Sequence, residues 1–149
     1  VENFPDISIL QFDAHSDMRD SYEGSKYSHA SIMARVAEFT KDIVQVGIRA
    51  QCKEEYDFIK SNNIKTFYAR DISQSPSDVW HKQVVDSLKD NVYITFDVDA
   101  FDPSLLPATG TPEPGGLFWD DTMNLLQLVG AKKNIVGFDV VELAPSMSH

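Results

Sequence analysis

Five short, mostly apolar runs, each separated from the next by a segment with helical spacing, are the feature that most constrains the fold of this chain. The runs predict strands at Ile7–Phe12, Ile43–Val46, Lys65–Tyr68, Val92–Phe96 and Ile135–Val140. The segments between them predict helices at about His29–Phe39, Lys53–Ser61, Ser77–Leu88 and Asp120–Val129. Apolar strands that alternate with helices are typical of parallel strands covered on both faces. We therefore predict a three-layer α/β/α fold with a mainly parallel sheet.

The size and charge of the chain restrict its partners. A length of 149 residues suits a single core, and 42% hydrophobic with 24% charged residues is ordinary for a globular domain. The formal net charge of −10 argues against nucleic acid, whose phosphates would be repelled. It suits a cationic partner, either metal ions or a small positively charged substrate, although part of it is expected to be solvated surface.

Cysteine content and apolar run lengths indicate the cellular setting. Cys52 is the single cysteine, so neither an intrachain disulfide nor a thiolate metal cage can form. No apolar run approaches the length of a membrane span, and we expect a cytoplasmic protein with no membrane partner. Trp80, Phe118 and Trp119 are expected in the core or between helices.

Acidic and imidazole side chains follow two of the predicted strands at a spacing of two. The segment "FDAHSD" places Asp13, His15 and Asp17 after the first strand, and "FDVDAFDP" places Asp97 and Asp99 after the fourth. Alternate residues of an extended chain point to the same side, and the carboxyl ends of parallel strands meet at one edge of the sheet. We expect these five side chains to converge there.

Four carboxylates gathered at one edge predict a metal site. Like charges raise one another's pKa values, and divalent cations remove that repulsion. Five ligands are too many for one ion that keeps an open position, so the sequence predicts two ions. Oxygen ligands with one imidazole and no thiolate favour manganese(II) over zinc, copper or magnesium. A single D-x-H-x-D pattern is more often a cap or a turn, so the hypothesis depends on both clusters.

The same residues resemble the ureohydrolases, a family of manganese enzymes that includes arginase, agmatinase and formiminoglutamase. The matching segments, in family order across nearly the whole chain, are "FDAHSD", "KYSHAS", "ITFDVDAFDPSLLPATGTPEPGGL" and "GFDVVELAP". The resemblance implies an arginase-like fold, two manganese ions per active site and hydrolysis of a guanidino carbon–nitrogen bond. It also implies a homo-oligomer, either a trimer or a hexamer.

The resemblance implies a role for each predicted ligand. Asp13 and Asp97 match the carboxylates that bridge the two ions, and both are counted with the catalytic residues. Asp17 matches a terminal ligand of one ion. His15 and Asp99 match terminal ligands of the other.

Two further residues match the substrate-binding and catalytic groups of the family. Glu142 matches the carboxylate that holds the guanidinium, and a planar guanidinium favours a two-pronged carboxylate partner. His29 matches the histidine that shuttles protons or orients substrate. Its place near a predicted helix start disfavours the imidazolium, so a neutral ring can pass a proton. Without these neighbours, Glu142 would be interpreted as a solvated strand-end acid and His29 as a structural histidine.

Three features depart from the family pattern. The family supplies one more ligand, a histidine from a Gly-Asp-His-type strand end upstream of Asp13, which this sequence does not contain. Ala30 stands where a glycine commonly follows the histidine, which narrows the pocket. The terminal helices of the family fold also have no counterpart here. We expect residues 1–149 to form a single ureohydrolase-type domain that is incomplete at both ends.

Loop lengths favour one substrate. The short link "MRDSYEGSKYS" and the phrase "TPEPGG" resemble agmatinases, whereas arginases have a longer polar loop before the histidine. Agmatine, hydrolysed to putrescine and urea for polyamine biosynthesis, is therefore the predicted substrate. Glu23 or Glu113 would face its cationic tail. Arginine, another guanidino compound and formiminoglutamate are the alternatives.

Two other classes of protein stay open. A zinc-dependent deacetylase of the arginase–deacetylase superfamily would use a pair of histidines, and the four histidines here offer no adjacent pair. An inactive, metal-binding relative with a structural or regulatory role is the alternative outside enzymes, because the upstream histidine is missing.

Overall fold

The computed structural model describes residues 3–145, which contain one five-stranded sheet. Its strands are β1 (Ile7–Phe12), β2 (Ile43–Ile48), β3 (Lys65–Tyr68), β4 (Asn91–Asp97) and β5 (Asn134–Val141). All pairings are parallel, in the spatial order β3-β2-β1-β4-β5. The order reverses between β1 and β4, and the carboxyl ends of such a strand pair form the crevice in which open α/β sheets bind ligands.

Helices cover the sheet on both sides. They are α1 (Ile32–Val36), α2 (Lys53–Ser61), α3 (Ala69–Ser73), α4 (Ser77–Asp86) and α5 (Trp119–Lys132). Met33 of α1 packs in one cluster with Ile9 of β1. Val84 of α4 and Leu125 of α5 pack with Leu10 in the other. The predicted three-layer α/β/α fold is therefore confirmed. None of the helices within residues 3–145 is long and apolar enough to cross a membrane.

The helix predicted at His29–Phe39 is shorter than expected. A 3-10 helix at His29–Ser31 precedes α1, and the chain leaves α1 in turns that end at the exposed Phe39. Ser31 has a non-helical backbone, which separates the two helices. The short α3 directly follows β3 and was not predicted. The other predicted helices and strands are present, with ends shifted by at most three residues.

Apolar side chains are exposed along β5 and at the start of α5. Phe138 and Val140 are 71% and 61% exposed, and Phe118 and Trp119 are 59% and 53% exposed. The expectation that Phe118 and Trp119 lie in the core or between helices is therefore wrong, whereas Trp80 does lie in the core. Every residue is buried only in β1 and β2. The edge strand β5 is exposed or half-buried along its length, and the interior strand β4 is partly exposed at alternate positions.

Candidate metal centre and active site

A cavity of about 800 Å³ opens at the carboxyl ends of β1 and β4. Its lining includes all seven residues that the sequence predicts to bind metal or substrate: Asp13, His15, Asp17, His29, Asp97, Asp99 and Glu142. The cavity therefore lies at the point where the strand order reverses, as expected for a sheet of this kind.

Three of the predicted ligands form a tight group. One donor atom each from Asp13, His15 and Asp99 lie within 4.8 Å of one another. Nδ1 of His15 is 3.0 Å from Oδ2 of Asp99 and 3.5 Å from Oδ1 of Asp13. The backbone N–H of Ala14 donates to Oδ1 of Asp99 over 3.0 Å. These contacts join the loop after β1 to the turn after β4.

Asp97 and Asp17 border the same cavity outside this group of three. Asp97 is the last residue of β4, and its Oδ1 accepts a hydrogen bond from the backbone N–H of Asp99 over 2.9 Å. Asp17 has a left-handed backbone, with φ of 54°. Such a conformation is strained for a residue other than glycine and is often found at functional sites. The metal-binding roles of both residues stay predictions.

Burial and mutual repulsion raise the pKa values of three carboxyl groups of this cluster, those of Asp13, Asp17 and Asp97. Burial raises the pKa of Asp13; burial and then the charge of Asp13 raise the pKa of Asp17 to about 8 and that of Asp97 to about 9. Hydrogen bonds to Asp13 and Asp99 raise the pKa of His15 to about 10. Burial also opposes ionisation of Asp99, but hydrogen bonds from His15 and the nearby backbone hold its pKa below the ordinary value. Divalent cations would take over the charge compensation that protons provide here.

A buried glutamate holds the strained Asp17 segment. Oε1 of Glu55 accepts from the hydroxyl of Ser16 over 2.8 Å and from the backbone N–H of Met18 over 3.0 Å. Its Oε2 accepts from the backbone N–H of Cys52 over 2.7 Å, which completes a capping box at the start of α2. Sequence reasoning missed Glu55 because the capping-box signal requires Ser or Thr at the N-cap, where this chain has Cys52.

Arg49 holds the segment after β4. Its guanidinium donates to the carbonyl oxygen of Asp99 over 2.7 Å and to that of Gly47 over 3.0 Å. Two further hydrogen bonds, of 2.8 and 3.1 Å, reach the carbonyl oxygen of Glu113. Arg49 thus connects the end of β2, the turn that carries Asp99 and the loop that carries Glu113. The sequence pattern gave no signal for this role, because the acceptors are backbone atoms.

His29 lies in the cavity wall at the start of the 3-10 helix. Oγ of Ser28 caps this helix by accepting from the backbone N–H of Ala30 over 3.3 Å. The ring of Tyr22 meets the imidazole edge-on, with 5.6 Å between ring centroids. His29 itself is exposed. It is therefore available to a ligand in the cavity.

Glu142 follows the last residue of β5 and has a left-handed backbone, with φ of 61°. The next residues fix its place, because the backbone N–H of Ala144 donates to the carbonyl oxygen of Ala108 over 2.8 Å. Leu143 pairs with Thr109 as an isolated antiparallel bridge. The exposed Glu142 carboxylate is thus carried by a tethered segment at the cavity edge.

Only one of the two acids considered for a cationic tail borders the cavity. Glu113 is in the lining, and its Oε1 lies 4.0 Å from Nε2 of His15. Glu23 lies in an exposed turn with φ of 50° and is not among the lining residues.

Comparisons with known proteins point to one family. The model of the arginase family matches residues 1–149. The chain is 42% identical over 140 residues to an N(1)-aminopropylagmatine ureohydrolase of Synechocystis sp., a match that covers 93% of this chain and 45% of that protein. It is 36% identical over 147 residues to an agmatinase of Pyrococcus horikoshii, covering 95% and 50%.

Solved structures give the same result. The agmatine ureohydrolase of Thermoplasma volcanium superposes with a TM-score of 0.86 at 35% identity, and the match covers 97% of this chain and 49% of that one. The chain therefore spans about half the length of the curated relatives and structures that it matches.

Proposed function

The chain belongs to the arginase family, and from that premise we propose that it is part of a manganese-dependent enzyme that hydrolyses a guanidino carbon–nitrogen bond. Agmatine is the proposed substrate, with putrescine and urea as products. One observation carries the proposal: donor atoms of Asp13, His15 and Asp99 lie within 4.8 Å of one another in a cavity that Glu142 also lines.

The residues of this cluster fit manganese. Asp13, His15 and Asp99 offer carboxylate oxygens and a single imidazole, a donor set that suits manganese(II) better than zinc or copper. Asp97 and Asp17 border the same cavity and would complete the ligand set for two ions. When bound, the ions supply Lewis acidity and lower the pKa of water.

Glu142 is proposed to hold the guanidinium of the substrate. Two carboxylate oxygens match the planar fork of a guanidinium through paired, charge-assisted hydrogen bonds. The backbone hydrogen bond from Ala144 to Ala108 keeps this segment at the cavity edge, so the backbone that carries the carboxylate is already ordered before substrate binds.

His29 is proposed to give a proton to the departing amine. It lines the cavity, and the Tyr22 ring meets the imidazole edge-on. A general acid needs this access to the nitrogen that leaves.

Glu113 supports a substrate with a second positive charge. Agmatine carries an amine at the end opposite its guanidinium, and the Glu113 carboxylate borders the cavity beside the metal cluster. The amino and carboxyl groups of arginine would place a negative charge in the same acidic cavity, which favours agmatine.

The names of the relatives support a second candidate substrate, N(1)-aminopropylagmatine, which extends agmatine by a further amine. Both substrates require the same hydrolysis and release urea. They differ only in the cationic group beyond the guanidinium.

The test uses the complete natural chain that contains these residues, stripped of metal and reloaded with manganese. Urea release is measured with agmatine, N(1)-aminopropylagmatine and arginine, and we expect turnover of one of the first two to exceed that of arginine. Glu142→Gln should abolish urea release. Glu38→Gln, at an exposed position beyond α1, should not change it.

Urea release from arginine alone would overturn the substrate proposal. Two bound ions without urea would support the inactive relative, and acetate from an acetylated amine would support the deacetylase.

A further inference from the structure

A row of polar side chains crosses the sheet, and three of its members line the cavity: Gln11, Thr95 and Asp139. Each strand contributes one residue at the same level of the register, in the spatial order Thr66, Gln45, Gln11, Thr95 and Asp139. The two glutamines lie in β1 and β2, whose residues are all buried. Buried polar groups are unfavourable unless they are hydrogen-bonded, so the partners of this row define what it does.

The orientation of the Gln45 amide is fixed by a backbone acceptor. Nε2 of Gln45 donates to the carbonyl oxygen of Ser16 over 2.9 Å, and a carbonyl can only accept. The second hydrogen of this Nε2 goes to Oε1 of Gln11 over 2.7 Å. Oε1 of Gln45 accepts from the hydroxyl of Thr66 over 2.9 Å. All polar atoms of the Gln45 amide therefore have a partner in one orientation only.

This orientation determines which end of the Gln11 amide faces the metal cluster. Because Oε1 of Gln11 accepts from Gln45, Nε2 of Gln11 points toward Asp13 and donates to its Oδ2 over 2.8 Å. The same Nε2 lies 3.3 Å from the carbonyl oxygen of His15. A reversed amide would place an acceptor against a carboxylate and a carbonyl, which is repulsive. The backbone N–H of His15 donates to the other oxygen of Asp13 over 2.6 Å.

The other half of the row does not compete for Gln11. The hydroxyl of Thr95 donates to Oδ1 of Asp139 over 2.8 Å, and the hydroxyl of Tyr93 donates to Oδ2 over 3.0 Å. The row thus divides into two hydrogen-bonded groups, and the group that contains Gln11 ends on Asp13.

We propose that Thr66, Gln45 and Gln11 form a directional hydrogen-bond relay that positions the Asp13 carboxylate for metal binding. The inference rests on the proposed function, because it takes Asp13 as a manganese ligand. Each residue of the relay is a positioning residue, since none of them is proposed to touch the substrate. A carboxylate held in one orientation binds a cation with little reorganisation, and the loss of such an outer partner weakens metal affinity.

The test measures manganese affinity of the metal-stripped, complete natural chain by isothermal titration calorimetry. Gln11→Met keeps the side-chain length and removes the donor to Asp13; we expect binding weaker by about tenfold. Thr66→Val is nearly isosteric and removes only the far hydrogen bond of the relay; we expect binding weaker by about threefold. In the Gln11→Met background, Thr66→Val should have no further effect, because the relay is already broken. Gln127→Met, on the exposed side of α5, is the matched control and should bind manganese like the wild type.

Two further readouts separate positioning from a purely structural role. The melting temperature of each metal-free variant reports folding. The electron paramagnetic resonance spectrum of bound manganese reports the symmetry of the site, which we expect Gln11→Met to change.

Lower melting temperatures with unchanged manganese affinity would overturn the proposal, as would a Thr66→Val effect that persists in full in the Gln11→Met background. If Gln11→Met does not fold, wild-type affinity in Thr66→Val alone would overturn it. A wild-type chain that binds no manganese would instead overturn the proposed function, and this inference with it.

Discussion

Nδ1 of His15 lies 3.0 Å from Oδ2 of Asp99, and this contact joins the loop after β1 to the turn after β4. The imidazole sits against carboxylates, which raise the pKa of His15 to about 10. At neutral pH His15 is therefore an imidazolium, with a proton on each ring nitrogen, and its positive charge offsets part of the acidic cluster. A cation that binds Nδ1 has to displace the proton on that nitrogen.

The first prediction is that manganese binding near neutral pH releases protons. Metal ligands bind in their deprotonated forms, and the pKa values of about 8 for Asp17, 9 for Asp97 and 10 for His15 leave these groups protonated at about pH 7. The heat of manganese binding should therefore differ between buffers of different ionisation enthalpy, and the affinity should rise with pH. Equal heats in all buffers would contradict the prediction.

The second prediction is that the metal-free chain loses stability as the pH rises. The folded pKa values of Asp17 and Asp97 lie above the ordinary value of 3.8, so their protonated forms stabilise the folded state. This contribution is fully present below the ordinary pKa and is lost as the pH rises through about 8 and 9. The raised pKa of His15 acts in the same direction, with loss through about 10. Thermal unfolding should show a melting temperature that falls between about pH 6 and about pH 9 without metal, and falls less with manganese.

The third prediction concerns the anchor of the Asp17 segment. Glu55→Gln places an amide donor where the Glu55 carboxylate accepts from Ser16, Met18 and Cys52, so at least one buried donor loses its partner. We expect a loss of about 1–3 kcal/mol in the free energy of unfolding and about tenfold weaker manganese binding.

The adjacent, exposed Glu54 provides the control for this change. Glu54→Gln should leave both the unfolding free energy and the manganese affinity close to wild type. If Glu55→Gln bound manganese as tightly as Glu54→Gln, the Asp17 segment would not depend on this anchor.

The fold and the position of the cluster could be predicted from the sequence because both follow from local patterns. Apolar runs separated by helical spacing determine a parallel sheet, and the spacing of Asp13 and His15 after β1 places both at the sheet edge. Asp97 at the end of β4 follows the same rule. The length of the helix after His29 was overestimated, because Ser31 interrupts it with a non-helical backbone.

The residues that support the cluster could not be found in the same way. Gln11 and Gln45 meet only once the register of β1 and β2 is known, and their spacing in the sequence carries no signal. Arg49 acts on carbonyl oxygens, which every residue has. Side chains that bind metal are recognisable by type, whereas those that orient them are recognisable only by contact.

The fourth prediction concerns recognition of the substrate tail. Glu113 borders the cavity, so Glu113→Gln should raise the KM for agmatine with a smaller change in kcat, because it removes binding that is equal in ground and transition states. Glu23 does not line the cavity, and Glu23→Gln is the matched control with expected wild-type kinetics. Steady-state rates of urea release over a range of agmatine concentrations give both constants. Equal KM values for the two variants would remove Glu113 from the tail site.

The fifth prediction concerns Gly116, where the Arg49 guanidinium and the turn after β4 come closest. A Cβ at this position would lie 2.4 Å from the backbone nitrogen of Asp102 and 2.7 Å from Nη2 of Arg49. Gly116→Ala therefore has to move the loop, and the bonds from Arg49 to Asp99 and Glu113 lengthen with it. We expect a lower free energy of unfolding, by about 1–3 kcal/mol, and weaker manganese binding, both measured on the same preparation.

Gly130 in α5 is the matched control for this glycine. A Cβ there meets no atom within 4 Å, so Gly130→Ala only removes flexibility from a helix. It should stabilise the chain by about 0.5–1 kcal/mol and leave manganese binding unchanged. The two variants add the same methyl group. If Gly116→Ala lowers the free energy of unfolding while Gly130→Ala raises it, the Gly116 effect comes from the close approach of Arg49 and Asp102. A stable Gly116→Ala chain with wild-type manganese affinity would show instead that the Arg49 contacts do not hold Asp99 in place.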